Sequence, residues 1–143
     1  VADRDPMADF AIARVGRDAG GSVEAEAGGG LALVPAPKPG TAVTVTGYEL
    51  GVGGGPISCQ ASTTLTPNGF PSLPCTGLTD GTSGAPWTTG SKVTGLIGGL
   101  DGGGCNENIS YSPPFDDRIS QLLTRAEAGG PADAAPEAFE DDC

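Results

Sequence analysis

Apolar and polar positions alternate most cleanly over Thr41–Tyr48, whose sequence is Thr-Ala-Val-Thr-Val-Thr-Gly-Tyr. A period of two is that of a half-buried strand, and this stretch reads as the best strand in the chain. Asp9–Val15 alternates in the same way. Phe10, Ile12 and Arg14 fall on one face, and Ala11, Ala13 and Val15 on the other. Further strands are expected over Ile57–Thr66, Phe70–Cys75, Gly84–Thr88 and Asn108–Ser112, with a turn at Thr89-Gly90-Ser91. Lys92–Leu100 reads as a buried strand whose glycines let another backbone approach closely. Leu31–Val34 is a short apolar segment closed by Pro35, Pro37 and Pro39.

Only one segment carries the helical period convincingly. Phe115, Ile119, Leu122, Leu123 and Ala126 form a single apolar stripe at i, i+4, i+7, i+8 and i+11. Pro113-Pro114 opens this helix, and Asp116 and Asp117 suit the positive end of its dipole. Arg125 lies near the negative end and Gly129 supplies the stop. Gly16–Gly30 reads as a linker and Glu49–Pro56 as a glycine loop. Residues 130–143 hold five carboxylates, Pro131, Pro136 and no cation, which is the pattern of a disordered acidic tail.

Composition narrows this picture. The 143 residues include 25 Gly and 13 Pro, enough chain for one domain of all-β, turn-rich character with a C-terminal helix. Aromatic residues are only 5%, so the core must come from Val, Ile, Leu and Ala. Seven Lys and Arg against 18 Asp and Glu give a net charge of −11. Nucleic acid and anionic membrane surfaces repel such a chain and are excluded as partners. Its longest apolar runs, Leu31–Pro37 and Val93–Leu100, are too short to span a bilayer. The sequence starts at Val, with no charged-then-apolar leader, so no signal peptide is read from it. There is no His. The commonest metal ligand and the commonest general base are therefore both missing, and no Ser-His-Asp triad can be completed within the chain.

Four Cys without His, and without a Cys-x-x-Cys pair, offer no zinc pattern. They allow three pairings. Cys59 with Cys75 is favoured, because both sit on neighbouring expected strands and close a short loop. Cys105 with Cys143 is a further possibility, and four reduced thiols in a cytosolic protein are the plain alternative. The Gly- and Thr-rich composition with short strands favours a secreted protein.

The segment that can carry chemistry is Asp80-Gly81-Thr82-Ser83-Gly84-Ala85-Pro86-Trp87. A serine between glycines in a tight turn can hold its hydroxyl away from the backbone. Gly81 permits a conformation that aims its N–H and that of Ser83 at one point, where two donors would stabilise a tetrahedral oxyanion. Gly84 leaves room for a substrate beside the hydroxyl. Taken alone, Gly-x-Ser-Gly is equally the sequence of a plain turn.

The rest of the chain supplies context. Gly81–Trp87 resembles the nucleophile loop of the trypsin-like, chymotrypsin-fold serine peptidases, and its Gly-Thr-Ser-Gly-x-Pro-Trp form is similar to their secreted actinobacterial branch. Asp9-Phe10-Ala11-Ile12 resembles the strand that begins with the family's catalytic Asp. Thr44–Tyr48 resembles the first strand of the second barrel, and Val93–Gly99 the strand lining the substrate cleft. Ser110-Tyr111-Ser112 and the helix from Phe115 resemble the closing strand and C-terminal helix. The resemblance covers residues 9–15 and 41–128, in the family's order.

That resemblance implies the second antiparallel β-barrel of a chymotrypsin-like double barrel, with the first barrel mostly missing. Residues 1–40 would be its remnant and the inter-barrel linker, 41–128 the second barrel with its helix, and 129–143 the acidic tail. It also implies Ser83 as nucleophile, Asp9 as the acid that orients a His, the Gly81 and Ser83 amides as oxyanion hole, and Gly77, Ile97, Gly98 and Gly99 along the substrate cleft. Asp9 is otherwise a plain strand-start residue, with Asp3 and Asp5 nearby, and Trp87 and Tyr111 are core residues. Two departures matter. Thr82 stands where many relatives have Asp, so activation by a newly cut N-terminal amine is not supported. Gly77, at the base of the specificity pocket, does not support cleavage after Arg or Lys; Asp101 and Glu107 read as solvated loop charges. The expected protein is a secreted, monomeric serine endopeptidase acting on peptides or proteins without cofactor or metal. This chain alone, lacking the His, would be inactive. A peptide-binding pseudo-peptidase and a Gly-rich structural module are the competing readings.

Overall fold

The computed structural model describes residues 5–16, 21–49, 55–76, 78, 81–104 and 108–134. Chain order runs through a 3-10 turn (Pro6–Ala8), a one-turn helix α1 (Val23–Glu26) and strands β1 (Ala32–Leu33), β2 (Ala42–Gly47), β3 (Ile57–Ser62), β4 (Thr64–Leu65), β5 (Pro71–Leu73), β6 (Pro86–Thr89) and β7 (Lys92–Leu96). A second 3-10 turn (Leu100–Gly103), β8 (Ser110–Tyr111) and helix α2 (Asp117–Glu127) complete it. The protein is thus mostly β with a C-terminal helix, as the hydrophobic periods predict.

The cleanest alternation becomes the central strand. β2 pairs antiparallel with β3 on one side and β6 on the other. Its Val43 and Val45 are buried while Ala42 and Thr46 face out. β6 continues to β7, and β1 adds parallel to β7, giving a five-stranded sheet in the order β1-β7-β6-β2-β3. β4, β5 and β8 form a second, three-stranded sheet. Neither sheet closes on itself among the described residues. Val43, Val45, Trp87 and Ile97 meet Leu73, Cys75 and Leu78 in one core, so the apolar faces of both sheets share it. Each buried aliphatic side chain there stabilises by about 1.5–3 kcal/mol. The Cys59–Cys75 disulfide runs from β3 to the residue two past β5, with Cα atoms 6.0 Å apart, and ties the two sheets together. The expected pairing is therefore present; Cys105 and Cys143 lie outside the described residues.

Three expectations are corrected. The expected strand at 57–66 is two strands, broken at Thr63, whose N–H bonds Thr41 and whose hydroxyl donates to Lys38. The linker contains α1, because Ser22 caps it by accepting from Ala25 N–H. Residues 9–15 form no strand. Among the described residues no ladder partner reaches them, and the preceding 3-10 turn closes onto Phe10 through its N–H to Ala8. Alternation allows a strand, but only a neighbouring strand can satisfy its backbone groups. In the acidic tail, residues 131–134 are exposed, Asp133 pairs with Arg125, and 135–143 lie outside the described residues.

α2 follows its sequence closely. Asp116 caps it, accepting from Arg118 N–H at 2.9 Å, and Ile119 is its buried residue. Gly129, at φ +76°, ends it after Ala128. This left-handed residue is where glycine is favoured past a helix C-terminus.

Candidate active site

Thr82–Ala85 is a tight turn closed by Ala85 N–H donating to Thr82 C=O at 2.9 Å. Gly84 takes φ +81°, the positive value that the third position of a type II turn demands. A Cβ at Gly84 would meet nothing within 4 Å, so glycine is needed there for conformation, while the space above it stays open. Thr82 and Ser83 point in opposite senses. Thr82 is 2% exposed, and its methyl lies 3.1 Å from where a Cβ on Gly47 would stand. Ser83, at the corner, is exposed. Thr82 thus anchors the turn on β2, which glycine at 47 makes room for, and Ser83 is presented to solvent. Gly81, at φ +90°, has the conformational freedom expected of the residue before this pair.

The same turn is laced to the segment after β7. Gly84 N–H donates to Ile97 C=O at 2.8 Å, and Ile97 N–H donates to Ala85 C=O at 2.9 Å. Four consecutive amides, from the last residue of β7 onward, have four different partners. Leu96 N–H donates to the Ser112 hydroxyl at 3.0 Å, Ile97 to Ala85, and Gly98 to Tyr111 C=O at 3.1 Å. Gly99 N–H donates to Asp9 Oδ2 at 2.8 Å. The Ser83 turn and the Asp9 carboxylate therefore dock on one stretch, Ile97–Gly99, whose ends are separated by at most about 7 Å of chain. Of the cleft residues named above, Ile97 and Gly98 are buried, Gly99 is partly exposed, and Gly77 lies outside the described residues. Gly98 also lies against Asp9: a Cβ there would stand 3.0 Å from Oδ2.

Two supports of this arrangement had no signal in the local sequence pattern. One is the Thr82–Gly47 contact. The other is Arg118, whose guanidinium donates to Asp5 Oδ2 at 3.0 Å and to Met7 C=O at 2.7 Å, just ahead of Asp9. These partners lie 113 and 111 positions apart in sequence. A shallow surface groove of about 540 Å³ runs along α2, and none of its lining residues belongs to the Ser83–Asp9 set. Among the described residues no cluster of His, Cys, Asp or Glu could hold a metal ion, and no helix is long and apolar enough to cross a membrane.

No protein-family model and no curated protein matches the chain. Among solved structures, a thermostable serine protease from an extremophilic microorganism is similar, with a TM-score of 0.61 and 21% identity over 78% of this chain and 54% of that one. The chain spans about half the length of that protease. At this identity the likeness is one of fold: the mostly-β architecture with its C-terminal helix is shared with that serine protease.

Proposed function

We propose that the chain is the C-terminal part of a secreted serine endopeptidase of the trypsin-like class, close to its actinobacterial branch, acting as a monomer on peptides or proteins without a cofactor. Residues 41–128 would be the second barrel and its helix, residues 1–40 the end of the first barrel and the connection, and 129–143 an appended acidic tail. One observation carries the reading: the exposed Ser83 corner and the Asp9 carboxylate meet on the single segment Ile97–Gly99.

The chemistry follows from that pair. Ser83 Oγ attacks the scissile carbonyl as a histidine outside this chain takes its proton. The carbonyl oxygen becomes an oxyanion, held by the Gly81 and Ser83 amides, and collapse expels the amine to leave an acyl-enzyme that water then hydrolyses. Gly99 N–H fixes one Asp9 oxygen. A carboxylate accepts at both oxygens, so the second can hold the imidazole N–H and keep the correct tautomer. Gly77 argues against a preference for Arg or Lys.

A fluorophosphonate probe tests this. The 143-residue chain, which has no His, should not label. The protein carrying the upstream barrel should label at Ser83, and Ser83→Ala should abolish both labelling and peptide hydrolysis. Stoichiometric labelling of the 143-residue chain would mean another base is present. A folded, His-containing protein that stays unlabelled would favour the peptide-binding pseudo-peptidase instead.

A further inference from the structure

Asp9 sits on a segment that no strand holds. What fixes it lies at the other end of the chain. Arg118, in the first turn of α2, forms three attachments at once. Its Nε donates to both Asp116 oxygens at 3.0 and 3.2 Å, its Nη1 to Asp5 Oδ2 at 3.0 Å, and its Nη2 to Met7 C=O at 2.7 Å. Asp5 in turn caps the 3-10 turn Pro6–Ala8 by accepting from Met7 N–H at 2.9 Å. The guanidinium therefore grips both the cap and the backbone of the one turn that delivers Asp9. A Cβ on Gly99 would stand 2.8 Å from the Pro6 carbonyl oxygen, so the turn lies directly against the amide that Asp9 engages. Phe10, the next residue, packs edge-to-face on Phe115 with ring centroids 6.2 Å apart, which closes the strap from the other side.

We infer that Arg118 is a positioning residue for Asp9: it clamps the Asp5–Ala8 turn onto the start of α2 and so sets the Asp9 carboxylate on the Gly99 amide. That this carboxylate serves catalysis rests on the peptidase reading above, whereas the coupling of Arg118 to Asp9 does not. The guanidinium suits this work because its planar fork can address a carboxylate, a second carboxylate and a carbonyl in different directions. A lysine ammonium on a flexible stem cannot hold all three in one geometry. An isolated exposed ion pair would hold little in place; here one group joins three partners, two of which belong to one capped backbone turn.

Amide exchange and chemical shifts of the 15N-labelled 143-residue chain test this coupling without any activity. The readout is Gly99 against its neighbours Ile97 and Gly98, whose N–H groups bond Ala85 and Tyr111 instead. Asp9→Asn sets the benchmark for a weakened Gly99 bond. Arg118→Ala should lower Gly99 protection at least tenfold and move its amide resonance in the same direction as Asp9→Asn, with Ile97 and Gly98 changing less than twofold. Arg118→Lys should restore little of this, and Asp5→Asn should give a smaller shift of the same sign. Arg118→Gln, which keeps a helix-compatible stem, answers the same question if the alanine variant does not fold. An unchanged Gly99 amide in the Arg118 variants, with Asp9→Asn altering it, overturns the inference. So does a uniform loss of protection at all three amides, which marks a merely structural role. Failure of Ser83 labelling in the complete protein would remove the peptidase reading and leave this coupling intact.

Discussion

β2 and the segment 9–15 have the same alternating pattern and different fates. β2 has a strand on each side and buries Val43 and Val45. Residues 9–15 have no ladder partner among the described residues, yet their apolar positions keep the expected facing: Phe10 and Ile12 are half-buried and Ala11, Ala13 and Val15 exposed, whereas Arg14, expected on the Phe10 face, is exposed as well. Alternation therefore decided which side chains turn inward in both places. It decided the backbone state only where a partner was present to satisfy the N–H and C=O groups. The segment 9–15 is held instead by side chains, through Asp9 on Gly99 N–H and Phe10 on Phe115.

The largest way to test this contrast is to truncate one aromatic in each region. Trp87 is fully buried opposite Val45 and Gly95, and Trp87→Ala should cost about 3–5 kcal/mol in urea denaturation. Phe10→Ala, which removes one ring contact from a half-buried side chain, should cost about 1 kcal/mol. Equal losses would mean that segment 9–15 belongs to the cooperative core after all.

Next in size is the link between sheets. Replacing Cys59 and Cys75 together by Ser should cost about 3 kcal/mol, the chain-entropy value for a loop of this length, and should leave the contacts of segment 9–15 unchanged by NMR. Two free thiols at these positions in a non-reduced digest of protein made in an oxidising compartment would contradict the bond itself.

Gly47→Ala sharpens the comparison inside β2. The new methyl would stand 3.1 Å from the Thr82 methyl, and overpacking of this kind should cost about 1–3 kcal/mol. Because Thr82 adjoins Ser83, the resonances of the 82–85 turn should move, whereas those of 9–15 should not.

The smallest effect concerns α2, to which the 9–15 strap is attached. The Arg118 guanidinium bonded to Asp116 is the main cause that lowers the Asp116 carboxyl below its ordinary 3.8. A lowered folded-state value stabilises the fold above pH 3.8 and loses that contribution as pH falls below it. Asp116→Ala should therefore cost about 1 kcal/mol at neutral pH, the typical value of a helix cap, and the gap from the unaltered chain should narrow in acid. A gap that widens in acid would show that the sign is wrong.

Much of this molecule was legible locally. The pattern at 41–48 marked the central strand, the stripe from Phe115 marked α2, and Gly-Thr-Ser-Gly marked a turn that presents a serine. Each is fixed by neighbours within a few residues: side-chain period, caps, and the φ that glycine permits. The disulfide was legible too, because Cys59 and Cys75 close a short loop between adjacent strand segments.

The bringing together of Ser83 and Asp9 was not written in either local pattern. It depends on Ile97–Gly99 receiving one group from each side, and on Arg118 reaching more than a hundred positions back to Asp5 and Met7. Nor did alternation reveal that 9–15 would lack a ladder. The sequence by itself determined which residues turn inward, where the helix starts and stops, and which turn can expose a hydroxyl, because these are governed by local sterics and hydrogen bonding. Only the tertiary structure decided which backbones pair and which carboxylate docks on the segment that also holds the serine's turn, because a strand's partners and a side chain's distant contacts exist only once the sheets have packed.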